Sequence, residues 1–190
     1  YMLKKIKESL DDPTVINKLN NETFSSISTV YNRYVSQDDQ RGYLKKHFVG
    51  VRISTSKQEL LSIPFQSIYT LNIDDGIESS NDNIEVFLNN RPNTDDDIIA
   101  DYKSEGKTIL FKLHGDATEQ IKYGESLIFN KKEYVASLSK NKVLLNYLST
   151  DLTSNCPMYI GCSLDDEIDL LYSVSNKGLS ALQHNTYYAV

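Results

Sequence analysis

Cysteine and histidine are scarce in this sequence of 190 residues, which contains two cysteines, Cys156 and Cys162, and three histidines. A chain of this length buries enough apolar surface to fold without disulfides. Two cysteines and three scattered histidines also do not supply the four ligands of a structural zinc site at any usual spacing. We therefore expect reduced thiols in a cytoplasmic protein, and no zinc.

Long apolar runs and basic stripes are missing as well. No stretch reaches the roughly 18 uninterrupted apolar residues of a membrane span. The formal net charge is −6, and acidic residues form short runs such as Asp165-Asp166-Glu167. An acidic chain without a basic stripe is a poor match for nucleic acid. We expect neither a membrane nor nucleic acid as a direct partner.

The first third of the chain has apolar residues at helical spacing. Two stripes lie within residues 3–19 and 24–34, and Asn21 is the predicted N-cap of the second helix. Residues 38–48 and 56–63 are predicted to form two further short helices. We expect the aromatic side chains of this region to pack between helices.

The pattern changes after Pro64, where short β-branched and aromatic runs begin. These runs predict strands at 67–71, 84–88, 107–113, 157–161 and 186–190. Helices are predicted after Asn130 and from Leu164 to Asn176. By contrast, residues 89–106 are polar, with a predicted turn at Arg91-Pro92-Asn93.

Strands that alternate with helices predict an α/β fold, with a Rossmann-like parallel sheet flanked by helices and a helical N-terminal third. No internal repeat or low-complexity linker divides the chain. We expect one domain over residues 1–190, with a helical part at 1–63 and an α/β part at 64–190.

Three of the predicted strands end in polar loops that contain glycine, after Leu71, Leu113 and Ile160. Ligands of parallel α/β sheets bind at the carboxyl ends of the strands. The three loops therefore predict one shared binding site.

The first two loops carry side chains suited to chemistry. Asn72 and Asp74 are able to hold a carboxamide or a ribose hydroxyl, although an Asx turn that closes the strand is an alternative interpretation. His114 titrates near neutrality and is suited to general-base work, while Gly115 allows a ligand to approach the backbone. A purely structural role for His114 is the alternative.

The third loop, Gly161-Cys162-Ser163-Leu164, joins a strand to the amino end of a predicted helix. Such an end is suited to a phosphate or a ribose. Turns of this kind are also common in α/β proteins without a ligand, so the loop alone does not identify a site.

Taken in chain order, the three loops resemble sirtuin motifs. Thr70-Leu71-Asn72-Ile73-Asp74 resembles Thr-Gln-Asn-Ile-Asp, Leu113-His114-Gly115 resembles the catalytic His-Gly, and Gly161-Cys162-Ser163-Leu164 resembles Gly-Thr-Ser-Leu. The acidic residues that follow are more similar to divergent bacterial sirtuin-like domains than to the protein deacylases. The resemblance covers roughly residues 64–190.

The resemblance implies a domain that binds NAD and breaks the bond between nicotinamide and ribose. By position, Asn72 would orient the ribose or an attacking water, Asp74 would contact the carboxamide, and His114 would act as general base. Thr70 and Gly115 would belong to the same NAD-binding set. Gly161 and Ser163 would contact the adenosine side.

The sequence departs from the deacylases in two respects: Leu71 replaces glutamine, and no paired Cys-x-x-Cys motif follows His114. These departures favour an NAD hydrolase, the domain of a larger antiphage-defence or stress effector that self-associates or contacts other segments. A module that binds NAD or ADP-ribose without hydrolysis, or a scaffold, is the alternative. A protein deacylase is the least favoured interpretation.

The glycine-rich phosphate loop with which the family opens is also absent, since the first glycine is Gly42 in a helical context. The sequence begins with Tyr1 and not with methionine. We therefore expect a fragment that starts downstream of that loop, although Met2 leaves open a start one residue earlier.

Overall fold

A computed structural model describes most of the chain. At residues 24, 25, 96, 153 and 187–189 it describes the backbone and not the side chains. The described residues are 1–10, 12–88, 96–125, 127–129, 133, 136–137, 142–161 and 187–189. They fall into two compact units, residues 1–140 and 141–190. The expectation of one domain over the whole chain stays a prediction.

Five helices form the beginning of the first unit, which confirms the helical N-terminal third. They are α1 (Met2–Ser9), α2 (Pro13–Leu19), α3 (Phe24–Tyr34), α4 (Gln37–Phe48) and α5 (Thr55–Leu61). Ile6, Leu19, Tyr31 and Val35 form their buried core, each at most 5% exposed. Because Ile6 and Tyr31 lie on the two predicted apolar stripes, the helical periodicity located this core correctly.

The prediction that Asn21 caps α3 was wrong. Thr23 is the N-cap: its backbone is extended, with φ −67° and ψ 157°, and its Oγ1 accepts a hydrogen bond from the Ser26 N–H at 3.3 Å. Both residue types are good N-caps, and the sequence pattern alone does not fix a helix start to within two residues.

A three-stranded parallel sheet follows, with strands β1 (Ser67–Thr70), β2 (Ile84–Phe87) and β3 (Thr108–Lys112) in the order β1-β3-β2. In the central strand, Ile109, Leu110 and Phe111 are fully buried, which explains its unbroken apolar run. The Tyr69 and Phe111 rings stack with centroids 4.8 Å apart, joining β1 to β3. The predicted mixed α/β fold, with a Rossmann-like parallel sheet flanked by helices, is confirmed.

Two helices in this region were not predicted. α6 (Asp96–Ser104) lies within the segment 89–106 that was expected to be a polar loop, and α7 (Ala117–Tyr123) follows β3. In α6, Ile99 is 2% exposed, and the Tyr102 ring meets Phe87 edge-on at 6.5 Å. Because so few apolar residues of this helix are buried, the sequence of the segment shows no clear helical periodicity among its many polar residues. The predicted turn at 91–93 lies outside the described residues.

The second unit contains α8 (Lys142–Ser154), β4 (Met158–Ile160) and β5 (Tyr187–Ala189). β4 and β5 pair in parallel, with Tyr159 opposite Tyr188, so both predicted strands are confirmed. α8 confirms the later part of the helix predicted after Asn130, and the helix predicted at 164–176 lies outside the described residues.

No helix in the described part of the chain combines the length and the apolar character that a membrane span requires.

Candidate functional site

The carboxyl ends of β1 and β3 lie side by side, because the two strands are parallel neighbours with Thr70 in register with Lys112. The Leu113 N–H donates to the Thr70 carbonyl oxygen at 2.9 Å and extends this pairing beyond the strands. The loops that begin at Leu71 and Leu113 therefore leave the sheet from adjacent positions. The sequence predicted that three loops share one site, and the structure places the first two of them side by side.

The loop after β1 is held by its own backbone and by one buried side chain. The Asn72 N–H donates to Thr70 Oγ1 at 3.0 Å, and Ile73, 7% exposed, packs in a cluster with Leu44, Ala117 and Leu127. With Ile73 anchored in the core, the Asn72 side chain is left exposed to solvent. Asn72 is thus available to a ligand and held by a fixed backbone.

Asp74 makes an Asx turn, since its Oδ1 accepts a hydrogen bond from the Gly76 N–H at 3.0 Å. The Asx turn, which the sequence left open as an alternative to ligand binding, is therefore formed by Oδ1 of this side chain. The other, Oδ2, has no hydrogen-bond partner among the residues described. Asp74 therefore closes the loop through one oxygen, and the role of the other in ligand binding stays a prediction.

Asp75 ties this loop to the segment after α4. Its two carboxylate oxygens accept hydrogen bonds from the N–H groups of Gly50 at 2.7 Å and Val51 at 2.9 Å. In return, the Asp75 N–H donates to the Phe48 carbonyl oxygen at 3.2 Å. Hydrogen bonds from N–H groups to a carboxylate are stronger than those between two neutral groups. The segment after α4 therefore helps to hold the loop after β1 in place.

His114 lies in a turn that depends on the next residue. Gly115 has φ 89°, a left-handed conformation that residues with a Cβ adopt only with strain, and its N–H donates to the Lys112 carbonyl oxygen at 3.3 Å. The His114 carbonyl oxygen accepts from the Ile128 N–H at 3.1 Å. Both ends of the turn are thereby fixed.

The His114 imidazole is half-buried, and this burial lowers its pKa below the ordinary value of 6.5. Burial disfavours the charged form of the ring. At neutral pH the imidazole is therefore mainly uncharged, which is the form able to accept a proton.

A buried lysine at the end of β3 joins the two loops, and sequence analysis did not identify it. The Lys112 side chain is 0% exposed, and its Nζ contacts the Asp74 carbonyl oxygen at 2.6 Å, Glu78 Oε1 at 2.7 Å and Asp116 Oδ2 at 2.5 Å. Lysine is rarely buried without a partner, so its place beside an apolar run, four residues before an aspartate, was the available signal.

Glu78 is the least fully hydrogen-bonded member of this group. Its Oε2 is buried and accepts no hydrogen bond from the residues described. Burial raises the pKa of the Glu78 carboxyl group, and the bond to Lys112 opposes this rise. One cation and two carboxylates share the site, so one negative charge is left over when all three are ionised.

Asp116 continues the connection into α7. Its Oδ1 accepts hydrogen bonds from the N–H groups of Thr118 at 2.7 Å and Glu119 at 3.0 Å, as an N-cap does. The Ala117 N–H donates to the Ile73 carbonyl oxygen at 2.9 Å. The segment from Thr70 to Asp74 therefore runs beside the segment from Lys112 to Ala117 and is bonded to it repeatedly.

Gly76 is a position where a single methyl group should disturb the first loop. A Cβ there would lie 2.8 Å from Asp74 Oδ1, 3.0 Å from Ile53 Cγ2 and 3.2 Å from Val51 Cγ1. We expect Gly76→Ala to lower the free energy of unfolding by roughly 1–3 kcal/mol, the usual cost of overpacking. Urea denaturation measures this change.

Gly42→Ala is the matched control. A Cβ at Gly42, inside α4, meets nothing within 4 Å, so this variant should be up to about 1 kcal/mol more stable than the parent. Equal effects of the two substitutions would contradict the tight packing around Gly76.

The third predicted loop lies in the second unit. Gly161 follows β4 directly and has φ 63°, so the chain turns there as glycine allows. Ser163 lies outside the described residues. The roles of Gly161 and Ser163 on the adenosine side stay predictions.

Metal ligands are not grouped in the part of the chain that the structure describes. No three histidine, cysteine, aspartate or glutamate side chains among those residues are placed to hold a metal ion.

The family model of the SIR2-like domain matches residues 66–190, about two-thirds of the chain. The chain belongs to the SIR2-like domain family. The match begins just before β1 and includes both neighbouring loops, so the sirtuin resemblance of the Asn72 and His114 motifs is confirmed at the level of the family. No curated protein is significantly similar to the chain.

SIR2-like domains use NAD as a substrate, and membership therefore indicates an NAD-related function. The loops after β1 and β3 lie where α/β sheets bind nucleotides, at the carboxyl ends of parallel strands. They carry the exposed Asn72 amide, the Asp74 carboxylate, whose Oδ2 has no partner among the described residues, and the half-buried His114 imidazole.

Proposed function

We propose that this SIR2-like domain hydrolyses NAD to nicotinamide and ADP-ribose. The observation that carries the proposal is the side-by-side arrangement of two loops, one with Asn72 and Asp74 and one with His114 and Gly115, bonded through Leu113 N–H to Thr70 and Ala117 N–H to Ile73. Family membership supports NAD as the substrate.

In the proposed reaction, the bond between ribose C1′ and the nicotinamide nitrogen breaks, and its electron pair leaves with nicotinamide. The oxygen of a water molecule bonds to C1′, and the proton of that water passes to the His114 imidazole and then to solvent. Asn72 orients the ribose or the water, and Asp74 Oδ2 accepts from the carboxamide. Fixed dipoles around an oxocarbenium-like ribose and restricted access of bulk water lower the barrier.

The remaining predicted residues complete the proposed NAD site. Thr70 holds the Asn72 backbone, and Gly115 gives the ligand room beside the turn. Gly161 and Ser163 are proposed to contact the adenosine part, within one domain that extends over residues 1–190.

The proposal is tested by incubating the full-length protein with NAD and measuring nicotinamide and ADP-ribose, which should appear in equal amounts. Asn72→Ala should lower the rate at least tenfold, whereas Asn17→Ala, at an exposed position on α2, should leave it unchanged. Consumption of NAD only in the presence of an acetylated peptide would indicate a deacylase instead.

A module that binds NAD or ADP-ribose without cleaving it is the second candidate. Residues 1–190 themselves include no glycine-rich loop whose backbone N–H groups would hold a pyrophosphate, and this favours the second candidate for these residues. Calorimetry that finds tight binding of intact NAD, with no nicotinamide formed after prolonged incubation, would support this candidate over hydrolysis.

We further propose that the domain serves a cytoplasmic antiphage-defence or stress effector, which depletes NAD and self-associates or contacts other segments of its protein. The departures at Leu71 and after His114 from the deacylase pattern support this role. NAD measured in cells that express the full-length protein, before and after phage infection, tests it: an unchanged NAD level in both conditions contradicts it.

The pH dependence of nicotinamide release should follow the pKa of His114. Because burial lowers this pKa below 6.5, the neutral and active form predominates at pH 6.5 and is lost only at lower pH. We expect the rate at pH 6.5 to exceed half of the rate at pH 8. A half-maximal rate above pH 7 would contradict His114 as the base with a lowered pKa.

A further inference from the structure

Lys112 uses all of its hydrogen-bonding capacity inside the protein. Its ammonium group has three N–H donors, and the three acceptors are the Asp74 carbonyl oxygen at 2.6 Å, Glu78 Oε1 at 2.7 Å and Asp116 Oδ2 at 2.5 Å. The side chain is fully buried. A donor set satisfied on every side holds the nitrogen at one position.

The three acceptors belong to three different segments. Asp74 is in the loop after β1, Glu78 begins a short 3₁₀ helix (Glu78–Ser80), and Asp116 follows the His114-Gly115 turn. Lys112 and Asp116 stand on either side of that turn, so their ion pair closes it. The same Asp116 fixes the start of α7 through its other oxygen.

A buried ion pair is not the most stable way to fill this space. Apolar residues of similar volume often give equal or greater stability, because two charges lose their hydration on burial. Glu78 shows this cost directly, with a buried Oε2 that accepts no hydrogen bond from the described residues. A role in fixing the geometry of the surrounding loops therefore explains the cluster better than a contribution to stability does.

We propose that Lys112 is the positioning residue that holds the Asn72–Asp74 loop and the His114-Gly115 turn in the geometry needed for NAD cleavage. The inference rests on the proposed hydrolysis of NAD. Lys112 acts through the Asp74 backbone and through Asp116, and it does not itself reach the substrate.

The test compares a neutral version of the cluster with a control at the residue just before the same strand. Lys112→Met is combined with Glu78→Gln and Asp116→Asn, so that no unpaired charge stays buried and the introduced asparagine side chain is still able to cap α7. Lys107→Met is the control, because Lys107 pairs with Glu85 at the opposite end of β3 and is partly exposed.

In the full-length protein, we expect the neutral version to fold and to lower kcat for nicotinamide release at least tenfold, with KM for NAD changed less than threefold. The control should keep kcat within twofold. Wild-type kcat in the folded neutral version would overturn the inference, since the cluster would then serve stability alone.

A second measurement separates this inference from the proposed function. The chain contains three histidines, so the imidazole NMR signal of His114 is assigned by its loss in His114→Gln. In the neutral version, the His114 titration should move up towards pH 6.5 as the turn loosens and water reaches the ring. An unmoved titration would overturn the inference even if the protein cleaves NAD.

If the wild-type protein releases no nicotinamide, hydrolysis is refuted, and the His114 titration alone decides whether Lys112 positions the turn.

If the neutral version does not fold, the single variant Asp116→Asn is used in its place. This variant removes the charge opposite Lys112 and should give a three- to tenfold loss in kcat, with the His114 titration shifted in the same direction.

Discussion

Replacement of His114 by alanine is expected to lower the rate of nicotinamide release by roughly 10²–10⁴-fold, the usual contribution of a general base. The half-buried imidazole is mainly uncharged at neutral pH because burial lowers its pKa, and alanine offers no acceptor for the proton of the attacking water. KM for NAD should change much less than kcat. Discontinuous measurement of nicotinamide over a range of NAD concentrations separates the two parameters.

His47→Ala is the matched control for this prediction. His47 is exposed on α4, with its ring 4.4 Å from that of Tyr43, and takes no part in the proposed site. This variant should keep the wild-type rate. A fall of less than threefold in His114→Ala would show that another group accepts the proton, or that the water is positioned without a base.

The location of the candidate site was predictable because it depends on strand ends. Short β-branched and aromatic runs placed β1 and β3, and parallel pairing brings the carboxyl ends of neighbouring strands together whatever the rest of the fold is. The residues at those ends, Asn72 and His114, were then visible as polar side chains after apolar runs. That these two side chains lie near each other could therefore be predicted without knowing where the helices pack.

The supporting contacts were not predictable in the same way. Lys112 looks in sequence like the polar end of a strand, and its burial depends on Glu78 and Asp116 meeting it from two other segments. The Asp75 bonds to Gly50 and Val51 likewise join residues about 25 positions apart. A single sequence shows which residues are able to form such contacts but not which of them meet in space.

The same limit explains the missed α6. Among the described side chains of this helix, only Ile99 is almost fully buried, and the Tyr102 ring contacts Phe87 of β2 edge-on. Tertiary packing of its few apolar side chains, rather than intrinsic helix propensity, stabilises such a short helix.

Lys112→Met alone should be the most destabilising of these substitutions, lowering the free energy of unfolding by roughly 3–5 kcal/mol, as expected when one partner of a buried ion pair is removed. Methionine fills the space but leaves the carboxylates of Glu78 and Asp116 without their cation, and the Asp74 carbonyl oxygen without its donor. Lys107→Met, which breaks a partly exposed pair with Glu85, should cost only about 0–1 kcal/mol.

The pH dependence of this loss distinguishes a buried charge from lost packing. Burial already raises the pKa of Glu78 above 4.5, so its protonated form is the better one to bury, and removal of Lys112 should raise that pKa further. A folded-state pKa above the unfolded value means stability that is present at low pH and lost as pH rises through the folded pKa. The stability gap between Lys112→Met and the parent, measured by urea denaturation, should therefore narrow between pH 7 and pH 5. A gap that stays constant over this range would show that methionine fails by its shape and not by the charges it leaves behind.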